Sequence, residues 1–281
     1  IKKCFKSKDG TIKWLFSLND NRDIETVYIP EENRSTICIS SQVGCTLSCA
    51  FCHTGTMKFI RNLDSSEIIG QVLKVKNELN DWQLKTEDKK VTNIVFMGMG
   101  EPFFNYDNVM KAVNVFCDEK GLGLSKRKVT ISTSGVVPKI ENFKLEKDVN
   151  LAISLHAPFD EVRNKLVPIN KKWPLEKLMQ SLKSYKDSRE KKRITIEYIM
   201  LENINDSIED AKMLIKLLKP LRTKVNLIPF NPWPGTKYKV SPNLKIKEFQ
   251  KYVLEKGNIV ATIRTPRGED ILAACGQLKS L

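Results

Sequence analysis

Six short runs of apolar and β-branched residues recur along the chain, and each is followed by a helical pattern or by a loop that leads into one. Continuous apolar strands that alternate with amphipathic helices are typical of a parallel sheet covered by helices. No GxGxxG motif follows the first run, which argues against an open dinucleotide-binding sheet. We therefore expect an α/β fold, a partial (β/α)6 TIM-like barrel. The predicted strands are 36–40, 92–98, 128–133, 150–157, 194–200 and 224–230.

Helical patterns lie between or after these strands, and several of them begin with a Ser, Asn or Pro start signal. A last predicted strand covers 258–264. Parallel barrels place their chemistry on the loops that follow the carboxyl ends of the strands, so polar residues there are the first candidates for a site. The predicted helices are 65–79, 108–117, 174–185, 207–219 and 246–256.

The chain is expected to divide into a short N-terminal β-extension, residues 1–35, and a core barrel, residues 36–281. No apolar run approaches the length of a membrane span, and the N-terminus has no apolar region typical of a secretory signal. We expect a cytoplasmic protein with no membrane association. The first residue is not Met, so we expect a processed or truncated form of a longer chain.

Charge and cysteine content indicate the kind of partner and compartment. The formal net charge is +14, with 47 Lys and Arg against 33 Asp and Glu, which favours a polyanionic partner through phosphate neutralisation. A generally basic, soluble protein is the alternative. Seven cysteines, three of them within eight residues, indicate metal-binding thiolates in a reducing compartment rather than a disulfide scaffold.

The cysteine-rich stretch CTLSCAFC directly follows the first predicted strand. A structural zinc site uses four Cys or His ligands, and the nearest further candidate, His53, is adjacent to Cys52, which makes joint ligation awkward. A 4Fe-4S cluster held by Cys45, Cys49 and Cys52 leaves one iron open for an exogenous ligand. The spacing C-x3-C-x-aromatic-C resembles the signature of radical S-adenosylmethionine (SAM) enzymes, in which SAM chelates that iron. A zinc knuckle is the alternative.

Polar residues also follow the later strands. GMGEP (98–102) follows the second strand, where its glycines permit close approach of a ligand and Glu101 can accept from the SAM ammonium. Taken singly, each of the other polar residues at a strand end is interpreted as a structural residue whose hydrogen bonds are satisfied. Placed together at one end of the predicted barrel, their polar groups suit a ribose and a methionine carboxylate. They are Ser132, Ser154, His156 and Asn231.

Four cysteines stand apart from the cluster motif. A single cysteine is usually a buried, inert hydrophobic residue, and we interpret Cys4 and Cys117 in this way. Composition alone gives no reason to interpret Cys38, in the first strand, or Cys275, in AACGQL, differently.

Several dispersed segments resemble the RlmN/Cfr family of radical SAM RNA adenine methyltransferases, with the RlmN branch the closer. The resemblance extends from about Glu25 to Leu278. The segments are CISSQVGCTLSCAFC, GTMKFIRNL, MGMGEP, VTISTSG, LAISLHAP, VNLIPFNPWPG and TIRTPRGEDILAACGQL.

This resemblance implies a role for each matching residue. Cys275 is the implied methyl carrier, Cys38 its resolving partner and Glu25 the proton acceptor. The implied cluster ligands are Cys45, Cys49 and Cys52, and the implied SAM contacts are Gly100, Glu101, Ser132, Ser154, Leu155, His156 and Asn231.

The implied chemistry follows from the substrate atom. Carbon 2 of adenine is electron-poor and cannot attack a SAM methyl, whereas a cysteine thiolate can. In the family, Cys275 is methylated first, and a 5′-deoxyadenosyl radical from a second SAM then removes hydrogen from the S-methyl group. The carbon radical adds to the adenine ring, and the resulting protein–RNA crosslink collapses as a Cys38–Cys275 disulfide forms. The base must leave its stack to react.

The resemblance also implies partners: 23S rRNA, tRNA methylated next to its anticodon, and an electron donor such as flavodoxin, with the protein a monomer. The alternatives are a Cfr-like carbon 8 adenine methyltransferase and a zinc-stabilised, non-catalytic RNA-binding module. Two features depart from the family pattern. His53 occupies a position where a small residue is expected, and the N-terminal helical accessory domain of the family has almost no counterpart in this sequence.

Overall fold

A computed structural model describes residues 1–82, 89–146, 148–188 and 193–280. The chain forms two compact units, each described by itself. The first comprises Ile1–Thr46, His53–Ser132 and Arg267–Leu281. The second comprises Leu47–Cys52 and Thr133–Pro266.

The first unit begins with antiparallel strands and continues with parallel ones. Strands β1 (Lys3–Lys6), β2 (Ile12–Ser17), β3 (Asp23–Ile29) and β4 (Thr36–Cys38) are antiparallel neighbours. Strand β4 then pairs in parallel with β7 (Asn93–Phe96), which pairs in parallel with β8 (Val129–Thr133). A separate two-stranded ribbon is formed by β5 (Gln42–Val43) and β6 (Arg61–Asn62).

Two long helices connect the parallel strands of this unit, and both follow from the sequence pattern. Helix α1 (Ser65–Glu78) starts at a capping box in which Asp64 and Glu67 satisfy each other's backbone N–H groups. Helix α2 (Tyr106–Cys117) buries an apolar face that includes Val109, Val113 and Phe116.

The second unit is a regular series of parallel strands and helices. Strands β9 (Asn150–Ser154), β10 (Ile194–Met200), β11 (Thr223–Pro229) and β12 (Val260–Ile263) are parallel neighbours in that order. The helices are α3 (Val137–Glu146), α4 (Asp160–Leu166), α5 (Leu175–Ser188), α6 (Ile208–Leu218) and α7 (Asn243–Gly257).

Burial explains why these strands are nearly continuous apolar runs. Every residue of ITIEYIM in β10 except its second is buried, as expected for a strand covered on both faces. The Tyr198 ring packs 5.3 Å from the Phe249 ring of α7, and Phe143 stacks on Tyr185 at 6.0 Å. The first pair holds α7 against the sheet, and the second joins α3 to α5.

The predicted α/β class is confirmed, and all seven predicted strands and five predicted helices are present. Strand 194–200 has the predicted bounds, and the other elements have shifted ends. The short helices α3 and α4 were not predicted, because they span only 10 and 7 residues, which is shorter than the window over which apolar periodicity is read. The division after residue 35 stays a prediction. The interpretation of Cys4 as a buried residue is wrong, because all four residues of β1 are exposed. Among the described residues, no helix has the length and apolar content required to cross a membrane.

Candidate active site

The predicted site residues are distributed over both units. The first unit carries Glu25, Cys38, Cys45, Gly100, Glu101, Ser132 and Cys275, and the second carries Cys49, Cys52, Ser154, Leu155, His156 and Asn231. Ser132 and Asn231 are buried at the ends of β8 and β11, as predicted.

In the first unit, the loop GMGEP packs on the residues that lead into the cysteine motif. The Gln42 N–H donates to the Met99 carbonyl at 3.2 Å. The Gln42 side-chain oxygen accepts from the N–H groups of Glu101, at 3.0 Å, and Thr46, at 3.2 Å. Gly100 has φ +96°, and a Cβ there would lie 2.5 Å from the Gln42 Cβ, so the close approach requires glycine. Gln42 therefore joins the predicted SAM-binding loop to the cysteine motif.

Glu101 is buried at the start of a short 3-10 helix. Its Oε1 accepts from the Phe103 N–H at 3.0 Å, which holds the carboxylate in one orientation. A carboxylate has lone pairs beyond those that this contact uses, so the chemistry predicted for Glu101 is compatible with its position.

Glu25, the predicted proton acceptor, lies buried on β3 with both carboxylate oxygens engaged. Its Oε1 pairs with the Lys13 ammonium at 2.9 Å, and its Oε2 accepts from the Lys279 N–H at 2.8 Å. The Lys13 ammonium also donates to the Leu272 carbonyl at 3.1 Å. These contacts tie the carboxylate directly to the C-terminal segment that carries Cys275.

The two cysteines of the implied disulfide pair occupy different settings within this unit. Cys38 is buried at the end of β4, opposite Val27 of β3. Cys275 is half-buried in the C-terminal segment, shortly after a 3-10 helix, Glu269–Ile271. The first unit therefore contains both residues of the implied disulfide pair, together with the implied proton acceptor.

His53, which departed from the family pattern, contacts the segment that carries Cys275. Its N–H donates to the Gly276 carbonyl at 2.7 Å, and its Nδ1 lies 3.2 Å from the Gln277 carbonyl. Thr54 Oγ1 donates to the Leu278 carbonyl at 2.5 Å. Burial lowers the pKa of His53. The residues directly after the cysteine motif thus anchor the C-terminal segment.

In the second unit, hydrogen bonds and a ring contact hold the cysteine loop. The Ala50 N–H donates to the Leu166 carbonyl at the end of α4, at 3.0 Å. Trp233 Nε1 donates to the Phe51 carbonyl at 2.9 Å. The Phe51 ring meets the His156 ring edge-on at 4.7 Å. The aromatic residue of the motif therefore packs against one of the predicted SAM-binding residues.

The end of β9 has an unusual backbone that fixes the His156 ring. The N–H groups of Leu155 and His156 both approach the Glu197 carbonyl, at 3.1 and 3.4 Å. His156 has φ +61°, and Asn205 Nδ2 donates to its carbonyl at 2.7 Å. Because the Ile199 N–H donates to His156 Nδ1 at 3.1 Å, the proton of the neutral ring resides on Nε2. Burial lowers the pKa of His156 to about 3, so this ring is a neutral donor at physiological pH.

Sequence patterns did not identify several polar residues that contact the predicted site residues, namely Lys13, Gln42, Arg163, Glu197 and Asn205. A usable signal existed for two of them, since Lys13 and Glu197 are charged residues inside otherwise apolar strands. Glu197 Oε2 accepts from Asn226 Nδ2 at 2.7 Å, and burial raises the pKa of Glu197. For the others, nothing in the local sequence indicated burial.

The pair of Lys13 and Glu25 yields a stability prediction. Lys13→Met is expected to lower the free energy of unfolding by about 3 kcal/mol, because it leaves a buried carboxylate without its ammonium partner. The two side chains are only 8% and 4% exposed. Urea unfolding followed by circular dichroism measures the change.

A matched control is available in the same antiparallel strands. The Lys2 ammonium pairs with Asp23 at 2.6 Å, but the Lys2 side chain is 49% exposed. Lys2→Met is therefore expected to change the free energy of unfolding by less than about 1 kcal/mol. Equal effects of the two substitutions would show that the buried pair has no special role.

A parallel α/β fold with a C-x3-C-x2-C loop after its first parallel strand defines a radical SAM protein, and comparisons with known proteins agree. The model of the radical SAM superfamily matches residues 39–218. A solved radical SAM methyltransferase from Sphaerobacter thermophilus superimposes with a TM-score of 0.92 at 40% identity, covering 98% of this chain and 79% of that one.

Curated relatives identify the family within the radical SAM superfamily. The dual-specificity RNA methyltransferase RlmN of Bradyrhizobium diazoefficiens is 53% identical over 281 residues, which are 98% of this chain and 70% of the relative. That of Brucella anthropi is 55% identical over 288 residues, with coverage of 98% and 70%. The chain therefore belongs to the RlmN family of radical SAM RNA methyltransferases. The radical SAM family implies a 4Fe-4S cluster and SAM.

Proposed function

We propose that this protein methylates carbon 2 of adenine in 23S rRNA and in tRNA next to the anticodon, through an S-methylcysteine intermediate on Cys275. The observation that carries the proposal is the pair of contacts from Glu25 and Lys13 to the C-terminal segment. They connect a buried carboxylate to the segment that bears a half-buried thiol. A base and a methyl carrier must act on the same adenine, so a direct structural link between them supports this chemistry.

The chemistry of three cysteine thiols and of the polar groups at the strand ends suits a 4Fe-4S cluster and SAM. Cys45, Cys49 and Cys52 are half-buried thiols, a donor set of three that leaves one iron open. When bound, the cluster and SAM supply the methyl group and a 5′-deoxyadenosyl radical. The proposed SAM contacts are Gly100, Glu101, Ser132, Ser154, Leu155, His156 and Asn231. Among them, the neutral His156 ring presents an N–H donor and Glu101 an oriented carboxylate.

The remaining steps use three residues of the first unit. The Cys275 thiolate accepts the methyl group and later links it, as a methylene, to carbon 2 of the adenine. Glu25 would then take the ring proton, and the unpaired electron left on the adduct by radical addition would be accepted by the oxidised cluster. The bond between the methylene carbon and the Cys275 sulfur would break as Cys38 attacks that sulfur. The Cys38 thiolate forms a sulfur–sulfur bond with Cys275, and the released methylene carbon takes up a proton to become the methyl group.

The overall charge suits the proposed substrate. A net charge of +14 favours binding to RNA phosphates and makes that binding salt-dependent. We place the reaction in the cytoplasm, with a monomeric enzyme and an electron donor such as flavodoxin supplying the reducing equivalents.

Product analysis tests the proposal. Protein loaded with iron and sulfide is incubated with SAM, a reductant and either a 23S rRNA fragment or tRNA, and the digested RNA is separated by nucleoside chromatography. We expect 2-methyladenosine. Formation of 8-methyladenosine alone would replace the proposal with the carbon 8 reaction. A colourless protein that binds stoichiometric zinc and no iron would replace it with the non-catalytic RNA-binding module.

A further inference from the structure

A single buried arginine of the second unit donates hydrogen bonds to strand ends that carry residues of the candidate site. Arg163 of α4 is 0% exposed. Its Nε donates to the Leu155 carbonyl at 3.0 Å, and one terminal nitrogen donates to the carbonyls of Ser134, at 2.7 Å, and Ser154, at 3.2 Å. The other terminal nitrogen donates to Asn170 Oδ1 at 2.7 Å. One planar guanidinium thus fixes Ser134, which follows β8, and Ser154 and Leu155 at the end of β9.

The four oxygens that Arg163 contacts are neutral, although a buried guanidinium is most often matched by a carboxylate. Burial lowers the pKa of Arg163 to about 10, so the group stays charged at neutral pH. Electrostatic attraction to Cys49 and Asp160 opposes this lowering of the Arg163 pKa. The helix that carries Arg163 also contacts the cysteine loop, because the Ala50 N–H donates a hydrogen bond to the Leu166 carbonyl.

We propose that Arg163 is a positioning residue for the radical SAM chemistry, acting in two ways. Its hydrogen bonds hold the strand ends that carry Ser154, Leu155 and His156 in the geometry that binds SAM. Its permanent charge lies on the helix whose end binds the cysteine loop at Ala50, and it stabilises the reduced, more negative state of the cluster and so raises the reduction potential. The inference rests on the proposed function, because it requires a cluster on the three cysteines and SAM at the strand ends.

Two substitutions of Arg163 separate the hydrogen bonds from the charge. Arg163→Gln removes the charge and most donors, and we expect at least a tenfold weaker Kd for SAM and a shift of the cluster potential to a more negative value. Arg163→Lys keeps the charge but not the planar fork of donors. We expect it to retain the wild-type potential while still losing affinity for SAM. The Kd is measured by anaerobic calorimetry and the potential by a redox titration followed by electron paramagnetic resonance.

Asn170→Ala is the matched control, because it removes one contact of the same guanidinium away from the strand ends. It is expected to change stability but leave the Kd for SAM within twofold of wild type. Arg163→Gln protein with unchanged Kd and potential would overturn the inference, leaving Arg163 a purely structural residue. If that variant does not fold, Arg163→Lys decides, and an unchanged Kd would overturn the positioning role. Wild-type protein that binds neither cluster nor SAM would overturn the proposed function as well.

Discussion

Cys275→Ala is expected to abolish methyl transfer to RNA, with a fall of at least about a thousandfold, while the cluster and the fold remain. The proposed carrier is a thiolate, and neither adenine carbon 2 nor an alanine side chain can accept a methyl group from SAM. Cys275 is half-buried in a segment whose backbone carbonyls accept from the His53 backbone N–H and the Thr54 hydroxyl, so the loss of its sulfur should leave those contacts unchanged. Incorporation of labelled methyl groups into tRNA measures the effect.

Two variants make this result specific. Cys4→Ala removes an exposed thiol of the same unit and should retain full activity. Cys49→Ala should lose both the activity and the visible absorbance of the cluster, whereas Cys275→Ala should lose only the activity. Peptide mass spectrometry should find a methyl group on Cys275 of the wild-type protein. Methyl transfer at the wild-type rate by Cys275→Ala would mean that the carrier is another residue.

Cys38→Ala is expected to trap a covalent complex between the protein and RNA. Without the Cys38 thiolate, the sulfur of Cys275 has no partner to form a disulfide, so the methylene bridge to the adenine persists. Free methylated RNA should fall by on the order of a hundredfold. Denaturing gel electrophoresis with radiolabelled tRNA detects the complex as a protein band that carries label.

Cys117→Ala provides the comparison, since Cys117 is a half-buried cysteine at the end of α2 with no proposed chemical role. It should give wild-type product and no labelled band. Normal turnover by Cys38→Ala would show that a different group releases the product. A double variant of Cys38 and Cys275 should form no complex, which distinguishes the proposed bridge from adventitious crosslinking.

Much of the fold was predictable because its strands are buried on both faces. Runs such as ITIEYIM and KVNLIPF leave few alternatives to a parallel strand, and capped helices such as α1 follow from short-range signals. The short helices α3 and α4 were not predicted, since 10 and 7 residues are too few for a clear periodic pattern. Arg163 was missed for a different reason, because its burial results from four contacts with residues up to 29 positions away.

The sequence by itself determined the class of fold, the cysteine motif and, through dispersed segments, the family and its implied site residues. These are local properties, set by spacing along the chain and by the apolar periodicity of each element. Only the tertiary structure decided which side chains support them. Lys13 reaches Glu25 and Leu272, and His53 reaches Gly276, through contacts that span from 12 to 259 positions of sequence. Such contacts depend on how the chain packs, because burial and hydrogen-bond partners are properties of the folded core and have no signature in the neighbouring residues.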